Sequence, residues 1–325
     1  MRLVSFVAAG LDSATGRALG ALEGDPAQVL ALGRAAVLLG RPEAEAARLA
    51  TLESMLESWD ENLVLAREVA AEAATASGTK ATSIARRPFD ALTILPPVAH
   101  PSAFRDAYCF EEHVKNARAR RGLTVPQEWY EMPIFYYSNP GALVGHRAAV
   151  RKPDRTEALD YELELGWVIS RKVRDVREEE WRTVVAGFTI LNDWSARDVQ
   201  RREMAVGLGP AKGKDFATSL GPALVTLDEF EGAWDGDRVR LEMEASVNGK
   251  VLSHGNTGSM RYTVGEVIAR ASQDVYLFPG DVFGSGTVGT GCILELGNDV
   301  HRWLESGDEV TLTIERLGAL TNPIV

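Results

Sequence analysis

Residues 186–203 read AGFTILNDWSARDVQRRE and join an apolar strand to a polar helix. The run Phe188 to Leu191 predicts a buried strand, and the Asn-Asp pair that follows it is a natural helix N-cap. Asp193, Arg197 and Gln200 stand at i, i+4 and i+7, so a carboxylate, a guanidinium and an amide meet at a strand end. On local evidence, the alternative for Asp193 is a plain helix cap, and the alternative for Arg197 is a surface ion pair.

The stretch just upstream, residues 159–169, reads LDYELELGWVI and predicts a second strand. Glu162 and Glu164 are two residues apart, so they project from one face, opposite Leu163 and Leu165. The ordinary interpretation of such a pair is the solvated face of an antiparallel sheet. Two parallel carboxylates are also half of a site for Mg²⁺ or Ca²⁺, because these cations prefer anionic oxygen ligands.

The downstream stretch, residues 208–222, reads LGPAKGKDFATSLGP. Its glycines allow backbone to approach a ligand closely, and Lys214 and Thr218 offer a cation and a hydroxyl. A phosphate-binding P-loop is excluded because the required glycine spacing is absent and Asp215 follows Lys214. An ordinary turn-rich loop is the alternative.

Two further segments carry ionisable side chains. In residues 104–113, FRDAYCFEEH, Asp106 precedes a helical stretch that it is able to cap, and His113 is one of five histidines. A lone histidine is more often structural than catalytic. In residues 284–296, GSGTVGTGCILEL, small residues form a loop that is able to turn backbone N–H groups toward a substrate oxygen. Glu295 interrupts the apolar run after it, which predicts a half-buried carboxylate with a raised pKa and a partner.

The chain divides by composition into two parts. Residues 1–95 predict a small α+β module, and Pro96, Pro97 and Pro101 mark a boundary. Residues 96–325 read as mostly β. The alternation from Val239 to Val247, followed by Asn248-Gly249, predicts a hairpin, and Val310 to Leu317 predicts the strand that closes the sheet. The fold class is therefore α+β, mostly β.

Composition excludes several classes of function. A net charge of −11 argues against a nucleic-acid surface. The two cysteines, Cys109 and Cys292, have no CxxC spacing, which argues against a disulfide framework or a zinc site. No apolar stretch approaches the roughly 20 residues of a membrane span. We expect a cytoplasmic protein with no membrane or nucleic-acid partner.

The order and spacing of these segments, with the terminal LGALTNP, resemble the fumarylacetoacetate hydrolase family across roughly residues 88 to 325. The most specific parts are NDWSARD and GKDFATSLGP. The resemblance implies a rolled mixed β-sandwich, usually dimeric, after a small N-terminal domain. It implies a metal, Mg²⁺ or Ca²⁺ with Mn²⁺ as a further candidate, held by the carboxylates of Asp106, Glu162, Glu164 and Asp193.

The same resemblance assigns roles to the other polar residues. It implies that His113 is the catalytic base, with Glu295 assisting it and Lys214 stabilising the transition state. Substrate contacts are implied for Arg197, Gln200, Thr287, Tyr108 and Tyr136. Thr218 is expected to support the metal region.

These groups suit hydrolysis of a carbon–carbon bond in a β-diketo acid such as fumarylacetoacetate or an acylpyruvate, as in aromatic-compound catabolism. The metal polarises the carbonyl, His113 deprotonates water, and Arg197, Gln200 and Lys214 stabilise the oxyanion. A second interpretation keeps the metal but makes the protein a hydratase, decarboxylase or isomerase of a 2-oxo-enoic acid, through an enolate. A third is a non-catalytic binder of small carboxylates, against which the presence of both His113 and Glu295 argues.

Overall fold

A computed structural model describes residues 1–7, 16–24, 27–75 and 85–325. The helices are α1 Leu32–Leu38, α2 Glu43–Arg48, α3 Leu52–Leu56, α4 Trp59–Thr75, α5 Glu111–Ala119, α6 Gln127–Glu131, α7 Arg197–Val206, α8 Val264–Ser272 and α9 Ile293–Leu296. The strands up to residue 200 are β1 Arg2–Val7, β2 Arg17–Glu23, β3 Gln28–Ala31, β4 Arg86–Pro88, β5 Phe104–Ala107, β6 Phe135–Tyr137, β7 Leu143–Val144, β8 Leu159–Asp160, β9 Leu163–Ile169, β10 Val173–Arg174, β11 Val185–Asn192 and β12 Ser195–Ala196. The later strands are β13 Thr218–Val225, β14 Trp234–Asp235, β15 Arg238–Val239, β16 Glu242–Val247, β17 Lys250–Asn256, β18 Tyr276–Leu277, β19 Val282–Gly284, β20 Glu309–Ile314 and β21 Gly318–Pro323.

One large mixed sheet forms the frame of the molecule. Its strand order is β4-β3-β2-β1-β13-β11-β9-β19-β5-β6, with β7 joined to β13. The central strands β9, β11 and β13 are buried along their whole length, which explains their continuous apolar character. The expected mixed, mostly β fold is confirmed.

The N-terminal residues extend this sheet. Strand β1 pairs antiparallel with β13, with Leu3 opposite Leu224, so the first strands share a sheet with the later ones. Helices α1 to α4 bury Leu49, Leu65 and Val69 in an apolar cluster that also contains residues of the central strands. The domain boundary near residue 95 stays a prediction, and the two parts are joined by backbone pairing as well as by side-chain packing.

A second sheet, β17-β16-β20-β21, packs against the first and encloses the main apolar core. The predicted hairpin is confirmed: β16 pairs with β17 around Asn248, whose positive φ of 52° suits asparagine. The alternation from Val310 predicts that this strand, β20, closes the sheet, and that prediction is wrong. On this side the edge strand is β21, which pairs with β20 along its whole length.

Two local predictions are wrong. Helix α7 begins at Arg197 with Ala196 as its N-cap residue, so Asp193 lies before the helix and does not cap it. Asp106 does not cap α5, because it lies inside strand β5 and the N-cap residue is Phe110. Both aspartates are buried, which assigns them to the interior rather than to helix ends. Within the described ranges, no helix combines the length and apolar character needed to cross a membrane.

Candidate active site and metal centre

Neighbouring strands bring three carboxylates to one place. Asp106 lies on β5, Glu164 on β9, and Asp193 directly after β11. Strand β19 lies between β5 and β9, and its Gly284 stands next to both carboxylates. A Cβ atom at Gly284 would lie 2.4 Å from Asp106 Oδ1 and 2.7 Å from Glu164 Oε2. The absence of a side chain there is therefore what allows the two carboxylates to converge.

The three carboxylates form a buried cluster with incomplete internal pairing. Each offers one oxygen within 4.8 Å of the other two. The backbone N–H of Gly286 donates to Glu164 Oε2 at 3.0 Å and to Asp106 Oδ1 at 3.3 Å. Glu164 Oε1 and Asp193 Oδ1 have no hydrogen-bond partner among the described residues. Buried orphan oxygens of this kind are rare, and anionic oxygen is the ligand type that hard divalent cations prefer. The donor set fits Mg²⁺, Ca²⁺ or Mn²⁺.

The electrostatics of the cluster agree with that interpretation. Burial raises the pKa of both Asp106 and Glu164 well above the ordinary range, and repulsion from neighbouring carboxylates adds to it. Burial also raises the pKa of Asp193, although Lys214 opposes that shift. A divalent cation would neutralise the repulsion and return the groups to the ionised state.

Glu162 has a different environment. Its carboxylate accepts from Arg197 Nη2 at 2.8 Å and from the Lys214 ammonium. Burial alone would raise the pKa of Glu162, but the two cations outweigh it and leave the pKa far below the ordinary value. Lys214 also donates to Asp193 Oδ2, so it bridges the two carboxylates. The metal-ligand role of Glu162 stays a prediction, because in this structure the side chain is satisfied by cations.

Asp160 is a buried site residue that the sequence reasoning missed. It accepts from Arg197 Nε at 2.8 Å and from the backbone N–H groups of Ile293 and Leu294 at 2.8 and 3.1 Å. It therefore fixes the arginine and the start of α9, next to Glu295, in one arrangement. The signal for it is in the sequence, where Asp160, Glu162 and Glu164 alternate.

His113 and Glu295 form a buried dyad across α5 and α9. His113 Nδ1 lies 2.5 Å from Glu295 Oε1, and His113 Nε2 lies 3.9 Å from Glu162 Oε1. Glu295 Oε2 accepts from Asn116 Nδ2 and the Thr290 N–H, each at 3.0 Å. Burial opposes ionisation of Glu295, yet His113 and these hydrogen bonds lower its pKa below the ordinary value. Glu295 has the predicted partner, but the predicted upward shift of its pKa is wrong in direction.

Three of the remaining predicted residues contact this centre. The Tyr136 hydroxyl donates to Asp193 Oδ2 at 2.6 Å, and the Tyr108 ring lies edge-on to His113 with 5.4 Å between centroids. Gln200 Oε1 accepts from Arg197 Nη1 at 3.1 Å. Thr287 Oγ1 is buried and has no hydrogen-bond partner in the described parts of the chain, so it is available to a ligand. Thr218 is buried at the start of β13, and its predicted support of the metal region stays a prediction.

Comparison with known proteins gives matches over most of the chain. Residues 102–325 match the family described as "Fumarylacetoacetate (FAA) hydrolase C-terminal". The mitochondrial oxaloacetate tautomerase FAHD2A of Homo sapiens is 34% identical over 263 residues, covering 76% of this chain and 77% of that protein.

Two solved structures resemble the whole chain. The 5-carboxymethyl-2-hydroxymuconate delta-isomerase from Mycobacterium smegmatis aligns with a TM-score of 0.65 at 24% identity, covering 100% of this chain and 99% of that one. The maleylpyruvate hydrolase from Sphingobium sp. SYK-6 aligns with a TM-score of 0.68 at 22% identity, with the same coverage. At these identities the likeness shows a common fold and leaves the reaction open.

Proposed function

The chain belongs to the fumarylacetoacetate hydrolase family, and from that premise we propose that it is a divalent-metal-dependent enzyme that cleaves a carbon–carbon bond in a β-diketo acid. One observation carries the proposal: the buried His113–Glu295 dyad lies close to the carboxylate cluster, because His113 Nε2 is 3.9 Å from Glu162 Oε1 and Glu162 shares the Lys214 ammonium with Asp193. A protein that only binds carboxylates needs no base, whereas hydrolysis needs one.

Asp106, Glu164 and Asp193 would hold the ion. Glu162 would complete the set if Lys214 and Arg197 released it. When bound, the ion supplies Lewis-acid polarisation of a substrate carbonyl and stabilises negative charge on oxygen.

His113 supplies the base. Its Nδ1 faces Glu295, so Nε2 is the nitrogen that accepts a proton from water. The resulting hydroxide adds to the carbonyl carbon distal to the 2-oxo acid. The bond between that carbon and the adjacent methylene then breaks, which releases a carboxylic acid and the enolate of a 2-oxo acid. The His113 imidazolium returns its proton to the enolate carbon, so protons balance over the cycle.

Lys214 and Arg197 supply positive charge beside the reacting oxygens. Both side chains are at most 5% exposed, and at low dielectric such charges act strongly on a developing oxyanion. Arg197 already donates to Asp160, Glu162 and Gln200, so its contribution is largely that of a fixed charge. Thr287 directly follows Gly286, whose N–H contacts Asp106 and Glu164. The Thr287 Oγ1 is buried and has no partner among the described residues, so it is able to donate to a substrate oxygen.

Tautomerisation or isomerisation of a 2-oxo acid is a second candidate function. It is favoured by the 34% identity to an oxaloacetate tautomerase. The same dyad serves it, because His113 would remove a proton from the carbon next to the 2-oxo group and return it elsewhere. Water is then not consumed, which is the chemical difference between the two candidates.

The test is to supply an acylpyruvate in ¹⁸O-water with Mg²⁺, and separately the enol form of oxaloacetate. Label in a released carboxylic acid, with pyruvate as co-product, supports cleavage. Accelerated loss of the enol without cleavage of any β-diketo acid supports tautomerisation and rejects hydrolysis. The variant His113→Ala controls for spontaneous reaction in both assays. A homodimer and a cytoplasmic location stay predictions, to be checked by sedimentation and fractionation.

A further inference from the structure

Cys292 gives the catalytic dyad a third potential metal ligand. Its Sγ donates to Glu295 Oε1 over 3.4 Å, the same oxygen that lies 2.5 Å from His113 Nδ1. Ligand atoms of the cysteine, the histidine and the glutamate all lie within 4.8 Å of one another, and all three residues are buried. The sequence alone gave no reason to expect this, because the three residues are separated by up to 182 positions.

We propose that His113, Cys292 and Glu295 form a second cation site, selective for a soft or borderline ion of the Zn²⁺ or Cd²⁺ type, and that its occupation blocks the catalytic base. An imidazole nitrogen, a thiolate sulfur and one carboxylate oxygen are a typical zinc donor set. The cluster of Asp106, Glu164 and Asp193 offers only oxygen, which suits Mg²⁺ or Ca²⁺. The two sites therefore differ in the class of ion that they select.

The geometry requires little movement. A tetrahedral ion at about 2.0–2.1 Å from nitrogen and oxygen holds those two atoms roughly 3.3 Å apart. His113 Nδ1 and Glu295 Oε1, now 2.5 Å apart, would separate by under about 1 Å. With a zinc–sulfur bond of about 2.3 Å, the sulfur-to-oxygen separation is about 3.6 Å, close to the present 3.4 Å.

The surrounding structure holds the ligands in place. Glu295 Oε2 is fixed by Asn116 and the Thr290 N–H, so Oε1 remains directed at the other two ligands. Cys292 is the residue before α9, whose first N–H groups are bound by Asp160. A fourth position is left for water. On binding, the cation takes the place of the Nδ1 proton between His113 and Glu295. That proton moves to Nε2, which then has no lone pair to accept a proton from water, and the thiol proton leaves to solvent.

The site and its consequence are separable. Binding of the ion depends only on the three side chains, whereas inhibition rests on the proposed function of His113. The chain also offers a matched control, since Cys109 is its only other cysteine and is equally buried.

The experiment uses the full chain saturated with Mg²⁺ and titrated with Cd²⁺, with thiolate-to-cadmium absorption in the ultraviolet as the readout. We expect absorption that saturates at one equivalent in the unmodified chain and in Cys109→Ala, and its loss in Cys292→Ala. Cys292→Ser, which keeps a small polar side chain, is the second variant if Cys292→Ala does not fold. Equal absorption in the unmodified chain and in the Cys292 variants, or none in the unmodified chain, overturns the proposal.

Zn²⁺ inhibition is the second readout. Each variant is compared with its own activity in Mg²⁺ alone. Removing one of three ligands should raise the Zn²⁺ concentration for half inhibition by at least about tenfold, since even indirect supports of metal ligands cost that much affinity. Cadmium absorption without Zn²⁺ inhibition leaves the site standing and rejects His113 as the base. An unchanged inhibition profile in a Cys292 variant assigns the inhibition to the oxygen cluster and rejects the link to this site.

Discussion

Two pairs of buried carboxylates lie near Asp193, and they differ in whether they contact a cationic side chain. Asp160 and Glu162 share Arg197, and Glu162 also contacts Lys214, so each pairs with a cation within the fold. The cations lower the pKa of Glu162, whereas burial still raises that of Asp160. Asp106 and Glu164 contact each other and the Gly286 N–H, with no cation of their own among the described residues. Both pairs are buried to a similar degree.

The difference indicates where an external cation is needed. A buried carboxylate costs several kcal/mol unless a positive charge or hydrogen bonds compensate it. Asp160 and Glu162 receive that compensation from side chains and are therefore structural and electrostatic elements of the site. Asp106 and Glu164 do not, which supports the proposal that the ion binds on their side. Asp193 belongs to both groups, because Lys214 contacts it and one of its oxygens is unpaired in the described structure.

The largest effect is expected when a carboxylate is removed from Asp106 and Glu164, the pair that contacts no cation among the described residues. Glu164→Gln should abolish Mg²⁺ binding and lower kcat/KM by about three orders of magnitude or more, because several kcal/mol of transition-state stabilisation is lost. Calorimetry and turnover measure the two effects. The exposed Glu128→Gln serves as the matched control and should change neither. Unchanged Mg²⁺ affinity in Glu164→Gln would place the ion elsewhere.

The same variant has an opposite effect on the metal-free protein. Glu164 has a raised pKa in the fold and an ordinary value of 4.5, so the metal-free fold loses stability as pH rises above about 4.5. Glu164→Gln removes this contribution, and its unfolding temperature in EDTA should equal or exceed that of the unmodified chain at pH 7. A lower value would mean that Glu164 is already compensated, and the contrast between the two pairs would not hold.

The second-largest effect is expected for Asp160 and Glu162, the pair of carboxylates that contacts a cation. Arg197→Met leaves Asp160 and Glu162 without their shared cation, and breaking a buried pair in this way costs about 3–5 kcal/mol of unfolding free energy. Urea titration measures it. Arg151→Met is the control, because that arginine pairs with Asp154 in solvent, where an ion pair contributes roughly 0–1 kcal/mol. A similar small loss in both variants would show that Arg197 does not stabilise the acidic residues.

The fold was predictable where its signals are local. The hairpin between β16 and β17 follows from alternation and an Asn-Gly turn, and its prediction is confirmed. The pairing of β1 with β13 joins residues more than two hundred positions apart, and no local pattern encodes it. The closing strand β21 was missed for a different reason: it pairs with the adjacent strand β20, but Val310 to Leu317 gives the stronger alternation.

The sequence predicts which residues form the site better than it predicts their ion pairs and hydrogen bonds. Alternation places Glu162 and Glu164 on one face, and the family resemblance implies the same role for both, because strand periodicity does not indicate which cation a side chain contacts. That distinction depends on Arg197 and Lys214, which lie on α7 and in the segment between α7 and β13. Asp193 illustrates the converse error, since its local position suggests a helix cap while tertiary packing buries it.

The third effect concerns the dyad, which depends on neither carboxylate pair for its internal contact. His113→Ala should lower kcat by roughly 10²-fold or more and leave Mg²⁺ affinity near normal, because His113 acts on a proton and not on the ion. The exposed His100→Ala is the control. A kcat close to that of the unmodified chain would mean that another group is the base. Loss of Mg²⁺ binding would mean that His113 belongs to the metal centre.

The smallest effect is expected at Asp193, the residue common to both groups. The Tyr136 hydroxyl donates to Asp193 Oδ2, and Lys214 donates to the same oxygen, which leaves Oδ1 for an ion. Tyr136→Phe removes one of these donors, so the carboxylate becomes less well oriented and Mg²⁺ affinity should fall about tenfold, the lower end of the range for groups that support a metal ligand. Tyr137→Phe changes the neighbouring tyrosine, which is 65% exposed, and should leave the affinity unchanged. If Tyr136→Phe lowers kcat while leaving Mg²⁺ affinity intact, Tyr136 acts on the substrate instead, and Asp193 relies on Lys214 alone for its orientation.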